Sequence, residues 1–274
     1  MNLRPLLPCF DALYKRYTRR DLVVTDPLLF LYRFDTPGDR EIVGLLAASL
    51  AYGRVTQINK SVAAVLEEMG SSPRRFVAGT SKERLTEIFG RFKHRFTTGR
   101  ELAEMLFGMR HVLEIYGSLR ACMATALGSN SETIIPGLSF LVDEIRHGGG
   151  VDAYNSLLPS PAGGSACKRL NLFLRWMVRK DDVDPGGWEE ISPSMLVIPL
   201  DTHMYRLGCA LGMTQRRQAD MKTALEITNA FKTILPHDPV RYDFALTRLG
   251  ICSDLDAARF VATCHAAAQT ECLW

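Results

Sequence analysis

The segment REIVGLLAASLAY, Arg40 to Tyr52, is apolar on nearly every side of a helix. A helix without a polar face has to be surrounded by other elements. The chain must therefore fold around this segment. Asp35, Pro37, Gly38 and Asp39 supply a turn and a start signal in front of it. A length of 274 residues gives material for one large domain or two lobes with a sizeable core.

Helical spacing continues on both sides. VTQINKSVAAVLEEMG predicts a second helix ending at Gly70. TGRELAEMLFGMRHVLEIYGSLRACMATAL predicts one long or two short helices, and SETIIPGLSFLVDEIRH another, closed by Gly148 to Gly150. A loop-rich stretch follows, from Gly148 to Ser165. In SACKRLNLFLRWMVRK, the residues Ala166, Leu170, Phe173, Leu174 and Met177 form one apolar stripe. Lys168, Arg175 and Arg179 fall on the opposite face, which reads as polar. MLVIPL, Met195 to Leu200, is the best strand signal and equally a buried extended segment. The pattern predicts an all-α fold.

Charge is weakly positive overall, at +3, but unevenly placed. Ser71 to Arg120 carries ten Lys/Arg against five Glu. Lys15, Arg16, Arg19 and Arg20 form a second cluster. Such clusters suit phosphate contacts, and equally suit a solvated helix face. The seven cysteines are odd in number and contain no C-x-x-C, which argues against a disulfide framework and a zinc knuckle. They read mostly as buried thiols. The N-terminus does not read as a signal peptide, and no apolar run approaches the roughly 20 residues of a membrane span. A cytoplasmic location is expected.

Chemistry-bearing residues concentrate at two helix starts. Pro199 disfavours helix at Ile198, so Asp201 is placed to cap a helix from Thr202 to Leu211. The apolar lead-in would also make its surroundings dry and its charge strong. The two roles are compatible. With Ser165 as N-cap, Lys168 falls in the first turn, facing the positive end of the helix dipole. That disfavours its charged form and suits a nucleophile. Taken alone, Lys168 reads as a solvated surface lysine beside Arg169.

The combination of a Gly-containing loop, a helix-start lysine, an aromatic-rich helix and IPLDTHMYRLGCALG resembles the helix-hairpin-helix DNA glycosylase superfamily. Asp201 matches its catalytic aspartate. In LPSPAGGSACKRL, Lys168 matches its catalytic lysine. DREIVGLLAASLAYGRVTQINKSVAAVLEEMGSSPRRF resembles the early helical pair of these enzymes. The resemblance runs from Arg40 to Gly250. A separation of 33 residues between Lys168 and Asp201 is closer to the archaeal 8-oxoguanine glycosylase branch than to endonuclease III. The whole chain also resembles, more closely, an uncharacterised bacterial family of similar length. There are departures: Gly163 and Gly164 are adjacent instead of G-x-G, and Cys252, Cys264 and Cys272 are too widely spaced for an iron–sulfur cluster. A glutamine often found near the pocket is replaced in the region of Tyr52.

The resemblance implies a two-lobed helical unit over 1–274, with 40–194 as the central lobe, 1–39 plus 195–274 as the terminal lobe, and the active site in the cleft between them. It implies a monomeric base-excision repair glycosylase with an AP-lyase step, acting on damaged duplex DNA. An oxidised purine such as 8-oxoguanine is the expected lesion, with no cofactor and no metal. Gly163, Gly164, Ser165 and Arg169 would contact phosphate. Tyr52, Trp176, Trp188 and His203 are candidates to contact the substrate, Trp188 also as a plug for the gap a flipped base leaves. Each of these four is equally a packing residue.

Two other readings stand beside this one. A non-catalytic DNA-binding module would keep the fold and the basic clusters. His237 and Asp238, with His203 and Asp243, would serve a metal-dependent phosphohydrolase. Asp238–Pro239 is also a standard helix N-cap and first-turn pair.

Overall fold

The computed structural model describes residues 3–128, 131–150, 156–250 and 256–271. The expected helicity is observed throughout these residues. In chain order the helices are α1 (Leu7–Tyr17), α2 (Pro37–Ser49), α3 (Val55–Met69), α4 (Pro73–Gly79) and α5 (Lys82–Phe89). A hairpin of two short strands follows, β1 (Lys93–His94) and β2 (Thr97–Thr98). Then come α6 (Gly99–Tyr116), α7 (Leu119–Thr125), α8 (Ile135–Gly149), α9 (Lys168–Val178) and α10 (Thr202–Ala210). The chain closes with α11 (Met221–Lys232), α12 (Asp243–Arg248) and α13 (Ala257–Glu271). No helix among the described residues is long and apolar enough to cross a membrane.

The apolar segment behaves as its composition demands. Thr36 caps α2 by accepting from the Asp39 backbone N–H, and Pro37 occupies the first turn. From Glu41 to Ser49 every residue of α2 is buried. It packs against α9 on one side and the 3-10 segment Pro27–Arg33 on another. Gly44 permits the close approach to α9, because a Cβ there would press on the Phe173 ring at 3.2 Å. α3 ends at Gly70 with φ +67, the left-handed cap expected of glycine.

The long helical stretch after Thr98 resolves into two helices. Gly117, left-handed with φ +78, stops α6, and Ser118 caps α7. α6 packs most extensively on α8, and α4, α5 and α7 gather around this pair. The crossing depends on Gly108, where any Cβ would collide with the Ile145 carbonyl. α12 packs on α1, and α10 on α12 and α13. Within MLVIPL, Met195 closes a 3-10 turn, and residues 196–200 are buried and outside any sheet. The Ile198 N–H is satisfied by the Thr228 hydroxyl at 3.0 Å.

The polar face expected for α9 is corrected. Arg175 and Arg179 are buried, so the helix has almost no solvated side. Arg175 pairs with Asp184 at 3.1 Å and Asp243 at 2.5 Å. Arg179 pairs with Asp184 at 2.5 Å, Asp181 at 2.9 Å and Asp238 at 3.0 Å. Burying a guanidinium is tolerable only with such paired, hydrogen-bonded acids. Those acids lie on later segments, which draws Asp184, Asp238 and α12 onto α9.

Candidate functional site

Lys168 and Asp201 meet at the starts of two helices. The Lys168 Nζ lies 3.6 Å from the Asp201 Oδ2, and the side chains are 38 % and 22 % exposed. Asp201 divides its work between its oxygens. Its Oδ1 accepts the Met204 N–H at 2.8 Å as the cap of α10, leaving Oδ2 toward the lysine. Capping and a role at the site are thus compatible, as the sequence suggested.

The start of α9 differs from expectation. Cys167, not Ser165, is the N-cap, held left-handed at φ +46, and Lys168 is the first helical residue. The Ser165 hydroxyl instead accepts from the Cys167 N–H at 3.3 Å. Burial pushes the Cys167 thiol up to about 11, so it stays protonated beside the lysine. Cys122 and Cys264 are likewise buried and pushed up to about 12. Cys9 is only partly buried and Cys209 is exposed, so the described thiols are mostly buried, as expected. Cys252 and Cys272 lie outside the described residues.

Lys168 lines a pocket of about 610 Å³. Tyr52, Ser165 and Arg169 line it too, with Leu172, Ile58 and Pro27 as apolar wall. Asp26 and Arg248, paired at 3.5 Å, add a polar part. Tyr52 is fixed by its hydroxyl, which bonds the His94 carbonyl at 2.8 Å and the Thr97 hydroxyl at 2.6 Å.

The expected phosphate contacts are redirected. The Arg169 guanidinium donates to the Ser49 and Ser156 carbonyls and lies over the Tyr52 ring. It ties the end of α2 to the loop before α9. The Gly163 and Gly164 N–H groups donate to the Ser160 and Pro161 carbonyls within a 3-10 turn. Those N–H groups already have acceptors, which is what adjacent glycines after Pro161 allow. Ser165 alone of the three reaches the pocket lining.

Of the aromatic candidates, Trp176 and Trp188 are core residues. Both are almost fully buried, with Trp188 edge-on to Phe173 at 5.2 Å. Neither lines the Lys168 pocket. The helix period could not show that α9 is covered on both faces. His203 is exposed and turns toward another cavity, of about 530 Å³, under α13. The metal set does not assemble: Asp238 is paired with Arg179, Asp243 with Arg175, and among the described residues no group of three metal-ligating side chains exists. Asp238–Pro239 starts a turn, and α12 begins only at Asp243.

Asp243 acquires a different place. It is the first residue of α12 and buried, with Oδ2 on Arg175 and Oδ1 without a hydrogen-bond partner. Burial pushes its carboxyl up to about 6, against the pull of Arg175. The charges of Asp201 and Lys168 act on it as well. Three helix starts, those of α9, α10 and α12, thus bring a lysine and two acids into one electrostatic unit. Glu41 was also missed: buried in α2, it caps α7 through the Leu119 and Arg120 N–H groups. An acid inside an otherwise apolar run is the signal that could have found it.

A helical core with a pocket-lining lysine paired to a helix-capping aspartate is the class of arrangement the molecule presents. Residues 26–252 match the model of a family described as a protein of unknown function, DUF2400, and the chain belongs to that family. No curated protein and no solved structure matches it.

Proposed function

We propose that the protein is a DNA N-glycosylase with an AP-lyase step. Lys168 is the nucleophile and Asp201 the carboxylate that serves it. The observation that carries this reading is the 3.6 Å approach of a partly exposed, pocket-lining lysine to a helix-capping aspartate. The superfamily that the sequence resembles uses the same pair.

In this reading the target nucleotide leaves the stack, at a cost of a few kcal/mol. The Lys168 amine forms a bond to the sugar C1′ while the glycosidic bond breaks and the base departs with its electron pair. Asp201 stabilises the positive charge that develops on the sugar and helps take the ammonium proton. Ring opening gives an imine, and β-elimination then breaks the C3′–O bond. An oxidised purine such as 8-oxoguanine in damaged duplex is the substrate proposed, through the branch whose lysine–aspartate spacing is nearest. What supports a two-lobed reading is that α4 to α8 contact one another, and α1, α10, α12 and α13 form a second set of mutual contacts.

Borohydride trapping tests the reading. A labelled duplex with 8-oxoguanine, or with an abasic site, should give a covalent adduct that Lys168→Gln abolishes. Protein that binds duplex but traps neither substrate is instead a non-catalytic DNA-binding module.

A further inference from the structure

We propose that Phe96, at the tip of the β1–β2 hairpin, is the wedge that enters a DNA duplex where a nucleotide has left the stack. The proposal rests on the duplex-binding part of the function above, and assigns a residue that sequence reading passed over.

Exposed large apolar side chains are few among the described residues. Phe96 is the most exposed of them at 77 %, followed by Val24 at 70 %, Ile115 at 57 % and Val55 at 40 %. All but Ile115, which lies near the end of α6, belong to the surroundings of the Lys168 pocket. Val55 lines it, and Val24 adjoins Thr25, which lines it. Phe96 sits on the hairpin that Tyr52, another lining residue, holds in place. The Tyr52 hydroxyl bonds both strands, through the His94 carbonyl and the Thr97 hydroxyl. The His94 ring closes the brace, with Nε2 at 3.1 Å from the Tyr52 carbonyl and Nδ1 at 2.9 Å from the Ser61 hydroxyl.

The tip is held in an uncommon conformation. The turn contains only Arg95 and Phe96, and Arg95 takes φ +53 where such hairpins favour glycine or asparagine. Its side chain lies against Gly53 of the pocket lining, where a Cβ would come 2.8 Å from the Arg95 Cδ. The turn is strained and braced, yet it leaves the phenyl ring 77 % exposed, with the neighbouring Arg95 guanidinium 5.4 Å from its centre.

The charge around the ring selects the partner. Arg91, Lys93 and Arg95 are exposed in GRFKHRFTT, which holds no acid, and no ion pair with a carboxylate is present for any of them among the described residues. Arg54 is exposed beside Gly53. Phosphates match the cations, and the step between two bases matches the ring.

The test compares two duplexes of one sequence, intact or containing a tetrahydrofuran abasic analogue, in equilibrium binding to Lys168→Gln protein. Protein with Phe96 should prefer the gapped duplex, and Phe96→Ala should reduce that preference about tenfold. Phe96→Leu, still an apolar wedge, should keep most of it. Affinity for intact duplex, set by phosphate contacts, should not change. Absence of any preference, an unchanged preference in Phe96→Ala, or binding to phosphatidylserine vesicles in place of duplex would overturn the proposal. Borohydride trapping reports separately on the function. A trapped adduct without dependence on Phe96 sinks only the wedge. A Phe96-dependent gap preference without any adduct sinks only the enzyme.

Discussion

The Asp243 carboxylate accepts a hydrogen bond from the Arg175 guanidinium at 2.5 Å, entirely out of solvent, while its second oxygen faces no donor. That geometry makes it prone to keep a proton. Its pKa of about 6 lies above the ordinary value near ~4. Between those values the folded protein holds a proton that the unfolded chain has released. The stability contributed by Asp243 is therefore full below about pH 4 and lost as pH rises through 6. Asp243→Asn has no proton to lose. Relative to the parent it should gain on the order of 2 kcal/mol between pH 4 and 7. Urea unfolding at both pH values checks this; parallel profiles would contradict it.

Asp201→Asn should separate the two jobs of Asp201. Asparagine still caps α10, so the melting temperature should stay within a few degrees. The charge toward Lys168 is gone, and excision should slow about 10²–10³-fold in single turnover. Duplex affinity should change far less than the rate. An equal loss in both would mean that Asp201 acts in binding.

Arg169→Ala distinguishes a structural clamp from a phosphate contact. Its guanidinium donates to the Ser49 and Ser156 carbonyls, so its loss should destabilise the fold by about 1–3 kcal/mol. The slope of duplex affinity against salt should be unchanged, since no phosphate partner is lost. A shallower slope would restore the phosphate role.

Trp188→Ala should behave as a core truncation. The buried ring packs on Phe173, and its removal should cost about 3–5 kcal/mol. Adduct yield per folded molecule should match the parent. A selective loss of adduct with unchanged stability would return Trp188 to the substrate.

Much of the fold is legible in the sequence because burial leaves a periodic trace. α2 announces itself by lacking a polar side, and Pro37, Gly70 and Gly117 mark boundaries by backbone geometry alone. α9 shows the limit. Its arginines at helical spacing imitate a solvated face, since the acids that neutralise them stand at 181, 184, 238 and 243, on segments that only tertiary packing brings near. Asp201 could be read because proline, an acid and a resumed helix are local signals. Asp243 could not, because its meaning depends on Arg175 and on the charges of two distant helix starts. Phe96 escaped for a related reason: the turn that displays it contains no glycine or asparagine, so KHRFTT carries no hairpin signature.

The covered face of α9 has a consequence for how such a site can change. Lys168 is the first residue of a rod whose length is gripped by α2 and by the acids around Arg175 and Arg179. Moving the lysine means repacking the centre of the molecule. Val24, Val55 and Phe96 hang on exposed positions that the interior does not count on. Selection can therefore change the surroundings of the pocket one exposed residue at a time, whereas its lysine end can change only together with the core.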